Sequence, residues 1–196
     1  MGYNRRSVYY PLMLKVKNEP CLVVGGGAVA LQKARALRRA GADVTAVSPE
    51  FSPAFRRLRV RRLSRRFRPS DVRGRVLVIA ATDSPATNRS VYEACRRRSV
   101  PVNVVDVPEL CSFIVPAIVR RGPVVVAIST GGASPSLAKV LRRRLEALLP
   151  RSLGKTAARL GAARREILRA LPPSPARTRL LKGLVRGLGM SRAGTR

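Results

Sequence analysis

Three consecutive glycines, Gly25-Gly26-Gly27, stand between two different hydrophobic periods, and this constrains the chain more than any other feature. Before them, Cys21–Val24 is a short, continuously apolar run with the length of a buried strand. After them, Val29, Ala30, Ala34, Leu37 and Ala40 recur at helical spacing, and Gly41 stands where a helix-ending glycine belongs. Val44–Val47 then reads as a second strand, stopped by Ser48-Pro49. Strand, turn, helix and strand make one unit whose strands must pair in parallel with a right-handed crossover. The rhythm continues with a strand over Val76–Ala81 and a helix from Pro85 to about Arg98, capped by Ser84. Val102–Val105 is the next strand.

The expected fold class is therefore α/β, with a Rossmann-type parallel sheet. The turn fits G-x-G-x-x-A at Gly25, Gly27 and Ala30. Gly25 permits the tight turn, Gly27 lets a pyrophosphate approach the backbone, and Ala30 lets helix and strand pack closely. The helix beginning at Ala28 and Val29 would offer N–H donors to that anion. The motif alone also describes a glycine turn that merely packs; its strand–turn–helix–strand context favours a dinucleotide. Pro49 and Glu50 follow the second strand, where a carboxylate accepts from ribose hydroxyls and repels a 2′-phosphate. The expected cofactor is thus NAD. A solvated loop charge is the other reading of Glu50, and Arg56 or Arg57 could fold back onto a phosphate. Asp43 precedes the strand, too far from its carboxyl end.

After Asp106 the rhythm changes. Phe113–Val119 and Val124–Ser129 read as two β-runs joined by Arg120-Arg121-Gly122-Pro123, a hairpin outside the parallel sheet. Ser134-Pro135 caps a helix to about Leu149, Pro150 breaks it, and the remainder is helical and Arg-rich. The expected domains are a Rossmann domain at 1–112, a dimerisation region at 113–149 and a helical extension at 150–196, fraying from about Gly189.

Charge is the anomaly: 40 basic residues face 10 acidic ones, a balance of +30 that draws polyanions of any kind. Histidine is absent, so acid–base chemistry falls to a carboxylate, Tyr, Lys or Cys. No independent metal site is expected without a His/Cys/carboxylate cluster. The run Arg56–Arg68 reads as a solvated face. Cys21, Cys95 and Cys111, odd in number and in apolar segments, read as reduced thiols of a cytoplasmic protein. No apolar run approaches the ~18 residues of a membrane span. Pro11 and Lys15 interrupt the stretch after Arg5-Arg6, against a signal peptide.

Two signatures carry a resemblance: Asn103-Val104-Val105-Asp106-Val107-Pro108 with Cys111-Ser112-Phe113-Ile114-Val115-Pro116-Ala117, and Ile128-Ser129-Thr130-Gly131-Gly132-Ala133-Ser134-Pro135. With Tyr10-Pro11-Leu12 and Ala81-Thr82-Asp83, they resemble the precorrin-2 dehydrogenase family, which includes the dehydrogenase/ferrochelatase part of siroheme synthases. The likeness covers about residues 8–150. It implies NAD-dependent oxidation of precorrin-2 to sirohydrochlorin by a homodimer. It also implies that Asp106 is catalytic and that Thr82 and Asp83 line the dinucleotide site. Asp106 ends a parallel strand, where such sheets place ligands. Asp83 could instead cap the helix from Pro85. Asn103 could meet substrate or satisfy the strand edge. Thr130-Gly131-Gly132 could cradle a substrate carboxylate or form a capped turn.

Three other readings stand beside this one: an enzyme that also inserts iron into sirohydrochlorin, a basic nucleic-acid-binding protein, and a non-catalytic dinucleotide sensor. The chain has only eight Phe and Tyr and no Trp, which is poor material for base stacking, so no specific nucleic acid is expected.

Overall fold

The computed structural model describes residues 9–186; the fraying expected from Gly189 and the Arg5-Arg6 segment lie outside them. The chain divides into two compact units between Val115 and Pro116. The first carries β1 (Pro20–Val24), α1 (Ala28–Arg39), β2 (Asp43–Ser48), α2 (Pro53–Arg56), β3 (Arg61–Ser64), β4 (Leu77–Ala80), α3 (Pro85–Arg96) and β5 (Val102–Val104). The strands form one parallel sheet in the order β3-β2-β1-β4-β5. The chain winds outward from β1 to β3, then returns to β4 on the other side. That reversal opens a crevice at the carboxyl ends of β1 and β4.

Alternation along β1 explains the layers. Leu22 and Val24 join Val91, Ala94 and Cys95 of α3 in one core cluster. Val23 joins Ala30, Leu31 and Ala34 of α1 with Phe55 of α2 in another. Successive strand residues point to opposite faces, so a strand covered on both sides must be apolar throughout, as Cys21–Val24 is. Burying one such side chain stabilises the fold by about 1.5–3 kcal/mol.

Two expectations need correction. The arginine-rich stretch is exposed, but residues 61–64 of it also form edge strand β3, paired with β2 from Thr45↔Arg61 to Ser48↔Ser64. Only Leu63 of that strand packs against the core, so no hydrophobic period marks it. The β-run expected from Phe113 begins instead at Ala117. Phe113 belongs to the first unit, against Val16, Cys21, Leu77 and Ile79, and Pro116 has no N–H to give a ladder.

In the second unit, β6 (Ala117–Arg121) and β7 (Val124–Ile128) form an antiparallel hairpin, followed by α4 (Pro135–Leu148), α5 (Leu153–Ala170) and α6 (Pro175–Arg186). Gly122 turns the hairpin at φ +58, and a Cβ there would lie 3.1 Å from Gly154 Cα of α5. The Arg121 guanidinium closes the end of α4, donating to Glu146 O at 2.6 Å and Leu149 O at 3.1 Å. Ser134 caps the start of that helix by accepting from Leu137 N at 3.2 Å. Among the described residues, no helix is long and apolar enough to cross a membrane.

Candidate cofactor site

The glycine turn is held by its neighbours. Gly25 N donates to Val47 O at 2.9 Å and Ser52 N donates to Gly26 O at 3.0 Å, which ties the loop after β2 over the turn. Gly25 has φ +128, and a Cβ on it would strike the Ala81 carbonyl. A Cβ on Gly26 would strike the Glu50 carbonyl and lie 2.8 Å from Ser48 Oγ. Gly27 is different: its φ is −82, and nothing lies within 4 Å of where a Cβ would stand. The first bond within α1 runs from Leu31 N to Gly27 O, so the N–H groups before it have no partner inside the helix.

This turn opens on a cavity of about 1020 Å³ at the carboxyl ends of the sheet. Gly25, Gly27, Ala28, Val29, Pro49, Glu50, Thr82 and Asp83 all line it. Ala30 does not; fully buried, it stands behind the turn with its Cβ 3.2 Å from the position a Gly25 Cβ would take. The β4 side is braced by Asn88, whose Nδ2 donates to Thr82 O at 2.9 Å while Thr82 Oγ1 donates to Asn88 Oδ1 at 2.8 Å. Ser84, not Asp83, caps α3, accepting from Thr87 N at 3.2 Å. Asp83 is left exposed on the cavity.

Ser48, Phe67, Thr87 and Ser90 also line the cavity and were not expected there, and so does Arg66, which the sequence reading assigned to a solvated face. Arg66 and Phe67 follow β3, so missing that strand meant missing them. Neither Arg56 nor Arg57 lines it; Arg66 is the lining arginine.

Asp106 lies beyond β5 rather than in the cavity wall. Val105 N donates to Ala80 O at 2.9 Å, and Ala80 pairs with Val104, so Asp106 follows β5 by as many residues as Thr82 follows β4. Asp106 has φ +61, is exposed, and its carboxylate has no hydrogen bond or ion pair among the described residues. Asn103 is buried, its Nδ2 donating to Phe113 O at 3.0 Å and Cys111 Sγ at 3.4 Å, so its amide nitrogen serves the fold. Thr130 Oγ1 accepts from Ser134 N at 3.0 Å and donates to Ser134 O at 3.1 Å. Gly131 and Gly132 have φ +63 and +91, and nothing lies within 4 Å of where a Cβ on either would stand.

Burial pushes the Cys21 thiol up to about 11 and Cys95 up to about 12, and raises Cys111 as well. These thiols are neutral at physiological pH and are poor nucleophiles or bases. Among the described residues, no group of three or more His, Cys, Asp or Glu could hold a metal ion.

A parallel sheet with a glycine turn, a free helix N-terminus and a cavity at its switch point defines a dinucleotide-binding α/β protein. The chain belongs to the NAD(P)-binding family, whose family profile matches residues 12–117. Residues 121–148 match the sirohaem biosynthesis protein central family. The siroheme synthase of Thioalkalivibrio sulfidiphilus is 46% identical over 183 residues, covering 91% of this chain and 37% of that protein. The siroheme synthase of Methylobacillus flagellatus is 50% identical over 152 residues, covering 76% and 32%. The chain thus spans about a third of the length of these curated relatives. The solved structure of SirC, precorrin-2 dehydrogenase, matches with a TM-score of 0.77 at 26% identity, covering 90% of this chain and 89% of that one. These likenesses agree with the resemblance carried by Asn103–Ala117 and Ile128–Pro135.

Proposed function

We propose that this chain is an NAD-dependent precorrin-2 dehydrogenase, oxidising precorrin-2 to sirohydrochlorin. The observation that carries the reading is the match to SirC along nearly the whole of both chains. The residues fit the cofactor: the space at Gly27 admits a diphosphate to the N–H groups of α1, and Glu50 accepts from the ribose hydroxyls. Thr82 and Asp83 line the other arm of the cavity, just after β4, the strand that pairs with β5 ahead of Asp106. NAD supplies the hydride acceptor when bound. Asp106 Oδ takes the proton that the tetrapyrrole loses, for which an unpaired carboxylate is available and no histidine competes. On the second unit, the Gly131–Gly132 turn has an open backbone whose N–H groups suit a carboxylate.

Purified protein incubated with precorrin-2 and NAD is expected to form sirohydrochlorin, seen by its absorbance. No turnover from folded, NAD-binding protein would leave a dinucleotide sensor instead. A parallel arm with sirohydrochlorin and ferrous iron tests the second activity that the siroheme synthase likeness raises. In the same assay Glu50→Gln should raise efficiency with NADP relative to NAD by about ten-fold, because it removes the charge facing a 2′-phosphate. An unchanged ratio would take Glu50 out of cofactor choice.

The reading includes a homodimer in the cytoplasm. Ile118, Leu137, Val140, Leu141 and Leu148 are exposed on the second unit and offer an apolar surface to a copy of the chain. Sedimentation should find a dimer at micromolar concentration; a monomer there would refute this part. Three free cysteines, two of them buried, suit a reducing compartment.

A further inference from the structure

Of the arginines at 56–68, some are tied down by the fold. Arg62 Nη1 donates to Leu58 O at 3.1 Å and also to Arg56 O at 2.5 Å. Arg65 grips Asp71 with both terminal nitrogens, at 2.9 and 2.6 Å, and its Nη1 also holds Arg66 O at 3.0 Å. Arg68 N donates to the same Asp71 carboxylate at 2.8 Å. Burial would raise the Asp71 carboxyl, but the Arg65 guanidinium and the Arg68 N–H outweigh it and hold it below the ordinary aspartate value. Asp71 therefore fixes the loop that leaves β3 from both sides of Arg66. The Arg66 guanidinium itself is left without a hydrogen bond or ion pair among the described residues, and Arg66 is one of the residues that line the cofactor cavity.

Register gives its place there. Ser48 of β2 pairs with Ser64 of β3, so Glu50 and Arg66 follow their strands by the same number of residues. Adjacent strands lie ~4.8 Å apart. Glu50 and Arg66 thus follow neighbouring strand ends and both line one cavity, on the β2–β3 side that Phe67 also lines. Glu50 suits bare ribose hydroxyls. A guanidinium suits the doubly accepting edge of a phosphate.

We propose that Arg66 is a cofactor-selecting residue: it meets a phosphate on the adenosine ribose and so lets NADP enter a site whose Glu50 favours NAD. The inference rests on the reading that this cavity holds the dinucleotide.

The test titrates NADH and NADPH into the whole chain at physiological salt, following cofactor fluorescence, in wild type, Arg66→Gln and Arg61→Gln. Arg61 is an exposed β3 arginine outside the cavity, so its variant makes the same change in net charge. Arg66→Gln is expected to lower the NADPH-to-NADH affinity ratio about ten-fold, while Arg61→Gln leaves it near wild type. Thermal melts of all three proteins show whether the fold is intact. A ratio unmoved by Arg66→Gln, with NADH still bound, overturns the role of Arg66 and spares the cofactor reading. Equal shifts in both variants overturn it in favour of the overall positive field. Wild-type protein that binds neither nucleotide overturns the cofactor reading and this inference together.

Discussion

Asp106→Asn should slow the oxidation of precorrin-2 by ~10²–10⁴-fold, the usual loss when a general base is removed. NADH affinity and melting temperature should stay at wild-type values. The substitution is chosen for what it leaves alone. Asp106 sits at φ +61, a left-handed conformation that Asp and Asn adopt more readily than other residues with side chains. Asparagine therefore fits the turn after β5 as well as aspartate does. The Asp106 carboxylate has no partner among the described residues, so exchanging it for an amide breaks no bond that holds the fold. What disappears is the capacity to take a proton at neutral pH. Turnover close to wild type, from a variant that folds and binds NADH, would remove Asp106 from the chemistry. The three cysteines offer no replacement, since burial keeps their thiols protonated.

How much of this was legible in the sequence depended on how each residue is buried. Strands β1 and β4 are covered on both faces and are apolar nearly throughout, while β2 and β5 keep the pattern around one buried polar residue each, Thr45 and Asn103. Such runs are visible without a structure. The glycine turn was visible too, because backbone crowding leaves Gly25 and Gly26 no room for a side chain. Edge strand β3 has one partner strand and presents Arg61, Arg62 and Ser64 to solvent. Only Leu63 marks it, so its composition is that of a loop. The cavity residues Arg66 and Phe67 were hidden for the same reason. Asn103 illustrates another limit. Its amide reaches Phe113 O, ten positions along the chain, and no local pattern announces that bond. The Thr130–Ser134 pair is shorter in range, yet a threonine before two glycines gives no sign of where its hydroxyl turns.

The contrast among the glycines yields the other large effect. Gly25→Ala forces a side chain into φ +128 and drives its Cβ against the Ala81 carbonyl. Backbone strain of this kind costs about 1–3 kcal/mol before the clash is counted. The clash is with backbone just after β4, held to β1 by Ala81 N donating to Val24 O at 2.8 Å, which cannot swing aside as a side chain could. A clear drop in melting temperature is therefore expected, with cofactor binding lost along with the fold. Gly27→Ala should behave in the opposite way. Its φ of −82 is ordinary for alanine, and its Cβ enters open space. Stability should move by less than about 0.5 kcal/mol. That open space, however, is where a diphosphate must come to reach the N–H groups at the start of α1. A methyl group there holds the anion away from its donors, and hydrogen bonds to a charged group contribute about 1.5–3 kcal/mol each. NADH affinity should then fall by ~10-fold or more while the melting curve stays in place. Thermal melts and NADH titration of both variants separate glycine as a packing requirement from glycine as a ligand requirement. Wild-type NADH affinity in Gly27→Ala would mean that the diphosphate does not lie against this turn, however well the turn is built.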